Sequence, residues 1–374
     1  MQPHKPMKRI FYDYQIFLQQ QYGGISRYFY ELAQRINGLD GFTAQIFAPL
    51  HANAYLAAGK GTAIGFHVRK TPKVWRFYEA LDIALSQVCF AVGKPTIVHE
   101  TYYRSRGLAP KTCPIVVTVY DMIHEKFRDL FKESDKTTIL KRKAVDRADR
   151  IICISEHTRR DLIDLFDVPE EKTVAVPLGF GLERSVDRSS GPANRDGVPY
   201  LLYVGSRDFH KNFEGFLRAF AASPVLRDNF SIEAFGGPPL SASEYELMGR
   251  LNISRSKVVW RHGSDGLLSQ LYRGAAAFIY PSLYEGFGIP PLEAMSLDCP
   301  VVCSNTSSIP EVVGDAAVMF DPLDTESMKS AIESVVMSES TQASLIARGR
   351  LRIERFSWDR CATATSAVYS ELLN

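Results

Sequence analysis

The chain has 374 residues, and at roughly 150 residues per domain this length predicts two domains. Apolar residues make up 45% and charged residues 23% of the sequence, which is ordinary for a globular protein and excludes a disordered or fibrous chain. Lysine and arginine number 44 against 42 acidic residues. This balance argues against a nucleic-acid partner, because nucleic-acid-binding proteins carry a basic excess.

The cysteines and the apolar runs bear on the cellular compartment. Six cysteines are scattered through apolar runs without a C-x-x-C pair, so the pattern favours neither a zinc ribbon nor a disulfide framework. The N-terminal segment lacks the continuous apolar core of a signal peptide. No run approaches the roughly 18 apolar residues that a membrane-spanning helix needs. We therefore expect a soluble, cytoplasmic protein.

In the first half of the chain, short β-branched runs alternate with stretches of helical period, a pattern typical of β-α-β units around a parallel sheet. The predicted strands are Arg9–Tyr12, Ala44–Ala48, Ile97–Glu100, Ile115–Tyr120, Ile151–Ile154 and Val174–Pro177. The predicted helices are Ile25–Ile36, Lys73–Ala91 and His157–Leu165. This half is therefore predicted to be a doubly wound α/β domain.

A polar, turn-rich stretch at 183–198 has no apolar period and predicts an interdomain linker. The β-α rhythm then resumes, with strands Tyr200–Val204, Ser231–Phe235, Val258–Trp260, Ala277–Tyr280, Pro300–Ser304 and Ala317–Phe320, and helices Phe213–Ala222, Leu267–Ala276 and Pro291–Leu297. The sequence thus predicts an α/β protein of two Rossmann-like domains, residues 1–182 and 183–374. The C-terminal stretch is predicted to be helical, and its last helix could pack back on the first domain.

A basic and aromatic segment opens the long helix of the first domain, with Arg69, Lys70, Lys73, Trp75, Arg76, Phe77 and Tyr78. An amphipathic helix of this composition can rest on an anionic membrane surface, so peripheral contact with the inner face of the plasma membrane is one hypothesis. The alternative is a solvated helix face whose aromatic side chains lie in the core.

The most informative stretch is PSLYEGFGIPPLEAM, Pro281–Met295. It follows a predicted strand at the carboxyl edge of the second sheet, where open α/β folds bind ligands. Gly286 and Gly288 permit a tight turn and a close approach of the backbone to a ligand. The prolines at 290 and 291 suit the first turn of a helix, whose free amides and positive dipole end favour phosphate.

Two acids, Glu285 and Glu293, bracket this loop with seven residues between them. Glu285 precedes the predicted helix and Glu293 is expected inside its first turn, so both carboxylates can face one ligand. Each has a structural alternative. A first-turn glutamate complements the helix dipole, and an exposed loop glutamate needs no ligand.

A second group lies in YVGSRDFHKN, Tyr203–Asn212, where a strand is predicted to end at Gly205 and a helix to begin near Asn212. Arg207 and Lys211 lie on this turn, at the same sheet edge as the glutamate loop. Two cations there can clamp a diphosphate, the arginine through its planar fork and the lysine as a point charge. Solvated loop charges are the alternative.

A glycine pair, Gly23-Gly24, runs into the first helix of the N-terminal domain. With the two loops above, it completes a pattern that resembles the retaining glycosyltransferases of the GT-B fold, in glycosyltransferase family 4. The E-x7-E string of Glu285 and Glu293 is the most specific part. Further matches are SEHTRRDL at Ser155–Leu162 and SNTSSIPEVVGDAAVMFDP at Ser304–Pro322.

The resemblance implies two Rossmann-like domains that face each other across a cleft, the first binding an acceptor and the second a nucleotide-sugar donor. It implies transfer of a sugar to an acceptor hydroxyl with retention at the anomeric carbon. The catalytic residues would be Glu285, Arg207, Lys211 and Asp121. The donor contacts would be Gly24, Ser264, Asp265, Phe287, Gly288, Ile289 and Glu293.

One departure from the family pattern follows the strand Ile115–Val119. Many relatives have a His-Asp pair there, whose histidine approaches the reacting sugar, whereas this chain has Tyr120-Asp121. That role passes either to Asp121 or to a differently placed histidine. The acceptor-side candidates are therefore Tyr120, His124 and His99.

The donor base is inferred from Asp265, which matches a region that contacts the base in relatives. A carboxylate can accept both N1–H and N2–H of guanine, so GDP-mannose or a related GDP-sugar is favoured over a UDP-sugar; a helix N-cap is the structural alternative. The expected acceptor is a glycan or a lipid-linked oligosaccharide. The sequence has no D-x-D motif, which carries a metal in the other main glycosyltransferase fold, so no metal and no cofactor are expected.

Two further hypotheses remain open at this point. A nucleotide-sugar epimerase can share the two-domain fold, although Tyr120 in place of a histidine disfavours it. A non-enzymatic sugar-nucleotide-binding protein is the other, and the presence of both glutamates and both cations argues against it.

Overall fold

The structure is a computed structural model that describes residues 7–59, 61, 63–69, 74–181 and 197–373. These residues form two compact units. The first unit comprises the described residues up to Gly179 together with those from Trp358 onward, and the second comprises those from Phe180 to Ser357. The predicted linker at 183–198 lies outside the described residues, except for its last two positions.

The first unit contains a parallel sheet flanked by helices. In chain order its elements are β1 (Lys8–Tyr12), α1 (Gln15–Gln19), α2 (Gly24–Ile36), β2 (Phe42–His51), α3 (Ala54–Ala58), β3 (Ala63–His67), α4 (Trp75–Gly93), β4 (Ile97–Glu100), β5 (Ile115–Val119), α5 (Ile123–Lys126), α6 (Thr137–Arg147), β6 (Arg150–Cys153), α7 (Glu156–Phe166) and β7 (Thr173–Ala175). The strand order is β3-β2-β1-β4-β5-β6-β7. Lys73, the predicted start of the long helix, lies outside the described residues.

The second unit repeats this plan with a six-stranded sheet. Its elements are β8 (Tyr200–Val204), α8 (Phe213–Ala222), α9 (Pro224–Asn229), β9 (Ser231–Phe235), α10 (Ala242–Arg250), β10 (Val258–Arg261), α11 (Asp265–Gly274), β11 (Ala277–Tyr280), α12 (Ile289–Ser296), β12 (Val301–Ser304), α13 (Ile309–Val313), β13 (Ala317–Phe320), α14 (Thr325–Val336) and α15 (Glu339–Ile353). The last helix of the chain, α16 (Trp358–Glu371), belongs to the first unit.

The sheet of the second unit has the order β10-β9-β8-β11-β12-β13, and neighbouring strands are parallel throughout. The direction of winding reverses between β8 and β11. In open α/β sheets this switch point leaves a crevice at the carboxyl ends of the two strands, where ligands bind. The prediction of two Rossmann-like domains is confirmed.

Apolar strands form the core of the second unit. Both β8 and β11 are buried along their whole length, as expected of parallel strands that helices cover on both faces. The α8 side chains Phe216 and Phe220 pack into the same core and are fully buried. This rigid sheet therefore fixes the positions of the loops that follow β8 and β11.

The helix α16 packs on α2 of the first unit. The hydroxyl of Tyr369 lies 3.1 Å from that of Tyr12, so β1 and α16 share a buried hydrogen bond. A Cβ on Gly179 would lie 2.3 Å from the Trp358 backbone nitrogen. Only glycine can therefore bring the chain this close to the start of α16.

Three further structural features bear on the sequence-based expectations. All six cysteines lie in the described part of the chain and are free thiols, five of them buried. Among the helices that the structure describes, none is long and apolar enough to cross a membrane. The described residues also contain no cluster of three or more potential metal ligands, and metal independence stays a prediction.

Candidate active site

The two loops at the switch point of the second unit lie side by side. The turn after β8 continues into a 3-10 turn, Phe209–Lys211, and the loop after β11 carries Glu285. The Leu283 amide donates to the His210 carbonyl over 2.7 Å and joins the two loops. Lys211 and Glu285 therefore lie at the same sheet edge, as predicted.

The centre of the candidate site is the ion pair between Lys211 and Glu285, whose Nζ and Oε1 atoms are 2.7 Å apart. The side chain of Glu285 is only 10% exposed and that of Lys211 20%. Burial raises the pKa of Glu285, but the Lys211 ammonium and hydrogen bonds that include one with Tyr280 more than offset this, and the pKa lies below its ordinary value. The carboxylate is thus ionised at neutral pH. A lysine ammonium has three donors, of which Glu285 takes one.

A pair of serines after β12 holds the glutamate loop in place. Ser308 is fully buried, and its hydroxyl donates a shared hydrogen bond to the carbonyls of Glu285 and Phe287, each 2.8 Å away. The Glu285 amide donates to the Ser307 hydroxyl over 3.0 Å. Ser307 has a φ of 54°, which is uncommon for a residue other than glycine. Sequence reasoning assigned these serines no role, although they lie in the stretch 304–322 that matched the family.

The helix α12 begins immediately after this loop. Gly288 is its N-cap with a φ of 116°, and both prolines lie in the first turn, as predicted. Because proline has no N–H group, positions 290 and 291 offer no backbone donor, and the amides of Gly288 and Ile289 are the candidate donors at this terminus. They supply donors and the positive end of the helix dipole beside the ion pair.

Glu293 lies farther along α12 than predicted. The first turn of α12 contains no acidic residue, because the helix begins at Ile289 and Glu293 is its fifth residue. The prediction that Glu293 lies in the first turn was wrong. The structural alternative, in which Glu293 complements the helix dipole from the first turn, is therefore wrong as well. Glu293 is buried and shares a hydrogen bond with the hydroxyl of Tyr272 from α11. Its carboxylate is therefore oriented by a neighbouring helix.

Phe287 has a buried ring that packs edge-on against Phe356 at a centroid distance of 5.7 Å. The ring is therefore not available to a ligand, and the expected donor contact of Phe287 through its backbone stays a prediction.

Arg207 is placed differently from the prediction. Its Nε donates to Glu244 Oε1 over 2.5 Å, and its other guanidinium N–H groups donate to carbonyls of the loop 236–239. The side chain is only 4% exposed. The described residues thus form no clamp of two cations, because Arg207 bridges the loop after β9 and the capping box of α10, while Lys211 pairs with Glu285.

The two residues predicted to contact the base lie at the start of α11. Ser264 is the N-cap, and its hydroxyl accepts from the Leu267 amide. Asp265 is the first residue of the helix and is exposed. The N-cap alternative for Asp265 is therefore wrong, since Ser264 has that role. The carboxylate of Asp265 remains a candidate for contact with a ligand.

In the first unit, the glycine pair lies where α2 begins. Gly23 is the N-cap in an extended conformation, and a Cβ there would meet the side chain of Gln20 at 2.2 Å. Around Gly24, no atom of the described residues lies within 4 Å of the position that a Cβ would take. Packing within the protein therefore does not require a glycine at position 24.

The segment after β5 carries three of the predicted residues. Tyr120 is buried, and its hydroxyl donates to the Thr101 carbonyl over 2.8 Å, so it replaces the family histidine with a structural contact. Asp121 is partly exposed, and its carbonyl accepts from the buried ammonium of Lys141 over 2.8 Å. The ring of His124 stacks on Phe131 at 4.1 Å. Of these three, Asp121 presents an accessible carboxylate on a firmly held backbone.

His99 is fully buried in the core of the first unit. Its Nδ1 lies 2.7 Å from the Tyr369 hydroxyl and its Nε2 2.8 Å from the Thr118 hydroxyl. Burial lowers the pKa of His99 to about 3, which keeps the ring neutral. The prediction that His99 lies on the acceptor side is therefore wrong, since its two nitrogens connect β4, β5 and α16.

Comparison with known families covers most of the chain. Residues 22–184 match the family model described as Glycosyltransferase Family 4, and residues 187–352 match the one described as Glycosyl transferases group 1. The chain belongs to the family 4 type of GT-B glycosyltransferases. Its E-x7-E loop, Lys211 and the glycine pair all lie within the matched ranges.

Individual relatives of this glycosyltransferase include mannosyltransferases of O-antigen synthesis. It is 33% identical over 245 residues to O-antigen chain mannosyltransferase B of Escherichia coli, over 61% of this chain and 62% of that protein. It is 28% identical over 269 residues to O-antigen chain mannosyltransferase RfbU of Salmonella typhimurium, over 71% of this chain and 72% of that protein. The chain spans less than a third of the serotype-specific mannosyltransferase WbdA of Escherichia coli, 28–29% of its length.

Solved structures share the fold at low sequence identity. Sucrose-phosphate synthase from Thermosynechococcus elongatus has a TM-score of 0.75 and 17% identity, covering 98% of this chain and 99% of that one. HepE from Anabaena, in complex with UDP and glucose, has a TM-score of 0.73 and 15% identity, covering 98% of this chain and 100% of that one. These likenesses support the GT-B fold of the glycosyltransferase.

Proposed function

We propose that this glycosyltransferase is a retaining, metal-independent hexosyltransferase that moves mannose from GDP-mannose to a hydroxyl of a glycan or lipid-linked saccharide. The observation that carries the proposal is the Lys211–Glu285 pair, 2.7 Å apart at the switch point of the second unit and next to the start of α12. The relatives from Escherichia coli and Salmonella typhimurium, both named as O-antigen chain mannosyltransferases, support mannose as the sugar.

The proposed reaction exchanges one bond at the anomeric carbon for another. The bond from this carbon to the β-phosphate oxygen breaks, and a bond to the acceptor oxygen forms on the same face. The acceptor proton passes to the departing β-phosphate, so no general-base histidine is required. Negative charge grows on the diphosphate and positive charge on the sugar, and each needs a preorganised partner of opposite sign.

Lys211 and Glu285 supply these two partners. Two of the three ammonium donors of Lys211 would bind the diphosphate while the third stays with Glu285. The amides of Gly288 and Ile289 would add to the same oxyanion stabilisation. Glu285, ionised because Lys211 lowers its pKa, would favour the cationic sugar.

The remaining groups bind or orient substrate in this proposal. Glu293, held by Tyr272, would accept from the ribose hydroxyls, and the exposed carboxylate of Asp265 would read guanine. The space beside Gly24 would admit the donor diphosphate. Asp121 would assist on the acceptor side.

Thermal unfolding with a panel of GDP, UDP, ADP and their sugars tests the donor assignment. A ligand at 100 times its dissociation constant adds roughly 2.7 kcal/mol to the stability of the folded state. We expect the largest shift with GDP and GDP-mannose. A larger shift with UDP or UDP-sugars would replace the donor assignment, and no shift with any nucleotide would refute the proposal.

Turnover separates the enzymatic proposal from the alternatives. Release of GDP and transfer of mannose are expected, and activity should persist in EDTA. A nucleotide that binds without release or transfer would indicate a binding protein, and interconversion of two nucleotide-sugars would indicate an epimerase. Loss of activity in EDTA with recovery in Mn²⁺ would contradict metal independence.

A further inference from the structure

The helix α4 exposes large apolar side chains on one side and buries two polar residues, Asp82 and Ser86, on the other. The fully buried residues of α4 are Asp82, Ser86 and Phe90. A surface helix of a soluble protein normally has the opposite arrangement, with an apolar stripe toward the core. The polarity of α4 therefore indicates that its outer face meets something other than water.

A local feature of the sheet explains the buried acid. The pairing of β2 with β3 shifts register between Phe47 and Leu50, and the Leu50 amide donates to Asp82 Oδ1 over 2.7 Å. Asp82 thus satisfies a backbone donor at the irregularity. This contact fixes the rotation of α4 and turns the opposite side of the helix outward.

The outward side of α4 is a continuous apolar stripe. At 100° per residue the exposed apolar residues at 77, 80, 84, 85, 88, 91 and 92 lie within roughly 140° of one another. The exposed polar residues of α4, Arg76, Glu79 and Gln87, lie outside this arc. Within the arc, Phe77, Val88 and Val92 are 66%, 61% and 76% exposed. A stripe of this width on a soluble protein marks an interaction surface.

The edge strand β3 extends the stripe. Ile64 lines a shallow groove together with Val88 and Val92, so β3 and α4 form one surface. Phe66, also on β3, is 79% exposed. We refer to the exposed apolar residues of α4 with Ile64 and Phe66 as the α4–β3 face.

The charges around the α4–β3 face are mainly positive. Among the described residues between 61 and 94, Arg69, Arg76 and Lys94 are exposed basic residues, whereas Glu79 is the one exposed acid and Asp82 is buried. Arg69 and Arg76 are exposed beside the face. A two-fold dimer would set this face against its own copy, bringing like charges together, whereas an anionic surface would be attracted to it.

We propose that the α4–β3 face binds an anionic lipid bilayer, with the apolar side chains in the interfacial region and Arg69 and Arg76 at the phosphate level. Apolar area combined with flanking basic residues is the combination by which a helix lies in a membrane surface. The face belongs to the first unit and shares no residue with the Lys211 loop of the second, so this inference does not depend on the identity of the donor.

Co-sedimentation of the full chain with phosphatidylcholine vesicles, with and without phosphatidylglycerol, tests the proposal. We expect pelleting that requires phosphatidylglycerol and decreases with salt. Val88→Glu should lower the partition coefficient at least about tenfold, because it replaces buried apolar area with a charge. Arg76→Gln should lower it about fivefold, the effect of one basic residue near an anionic surface.

The matched control is Leu351→Glu, a similar change at a residue of α15 that is 67% exposed. It should pellet like the parent protein, and the melting curves of both glutamate variants should match the parent. Absence of pelleting with phosphatidylglycerol, or equal pelleting of the Val88→Glu and parent proteins, would overturn the proposal. A dimer in light scattering that Val88→Glu dissociates would overturn it in favour of self-association.

Discussion

Removing Lys211 should damage turnover and stability for separable reasons. In Lys211→Ala, the developing charge on the β-phosphate loses a preorganised donor, which typically costs 10²–10³-fold in kcat, about 3–4 kcal/mol. The free energy of unfolding should also decrease, because the Glu285 side chain is only 10% exposed and its carboxylate would stay buried without a paired cation. Removing one partner of a fully buried pair costs about 3–5 kcal/mol. Since Lys211 is a fifth exposed, we expect roughly 2 kcal/mol.

The double variant Lys211→Met with Glu285→Gln distinguishes the two effects. It removes both charges, so the free energy of unfolding should return most of the way to the parent value, because no unpaired ion stays buried. Turnover should stay as low as in Lys211→Ala. Urea unfolding and the rate of GDP release from GDP-mannose measure the two quantities on the same samples.

A partly buried ion pair elsewhere in the same sheet supplies the control. Arg261 Nε lies 2.7 Å from Glu233 Oε2, and the Glu233 side chain is 9% exposed. Glu233→Gln should lower stability while leaving turnover close to that of the parent. The reasoning is refuted if Lys211→Ala is folded and releases GDP at a near-normal rate, or if the double variant recovers turnover together with stability.

Three further variants have definite expected outcomes. Gly24→Ala should lower turnover at least about tenfold without lowering the melting temperature, because a methyl group meets no described atom of the protein but would, in the proposal, meet the donor. Gly249→Ala, a helical position whose added Cβ is equally uncrowded, should leave turnover unchanged and raise stability slightly. Asp265→Ala should weaken GDP binding about tenfold in calorimetry without weakening UDP binding, and equal losses would contradict base recognition. Burial raises the pKa of Asp82 to about 7. Between about pH 4 and 7 the folded state therefore holds a proton that the unfolded state has lost. The free energy of unfolding should decrease over this range as the pH increases, with a slope of at most about 1.4 kcal/mol per pH unit. In urea unfolding, Asp82→Asn should remove this pH-dependent part of the free energy of unfolding. Parallel pH profiles for the variant and the parent protein would contradict the assignment to Asp82.

The sequence predicted best where a single pattern determines an element. Phe213–Ala222 and Tyr200–Val204 have the predicted bounds, because apolar periodicity and burial coincide there. The helix α10 was missed, although its capping box of Ser241 and Glu244 was readable as a start signal.

The errors at the site come from contacts between distant parts of the chain. Arg207 pairs with Glu244, which lies 37 positions away, and the sequence does not reveal which carboxylate a loop arginine reaches. His99 is in a predicted strand, but both faces of a parallel strand are buried, and its partner Tyr369 comes from the far end of the chain. The outward face of α4 depends on the Asp82–Leu50 contact, which no periodicity indicates.

Calorimetric titration of GDP-mannose into the parent protein and into Lys211→Ala tests most directly whether the switch point of the second unit is the donor site. The account predicts one site per chain in the parent protein and at least tenfold weaker binding in the folded variant, because a charged hydrogen bond to the diphosphate is lost. Equal affinity in the two proteins would place the diphosphate away from Lys211 and contradict the account.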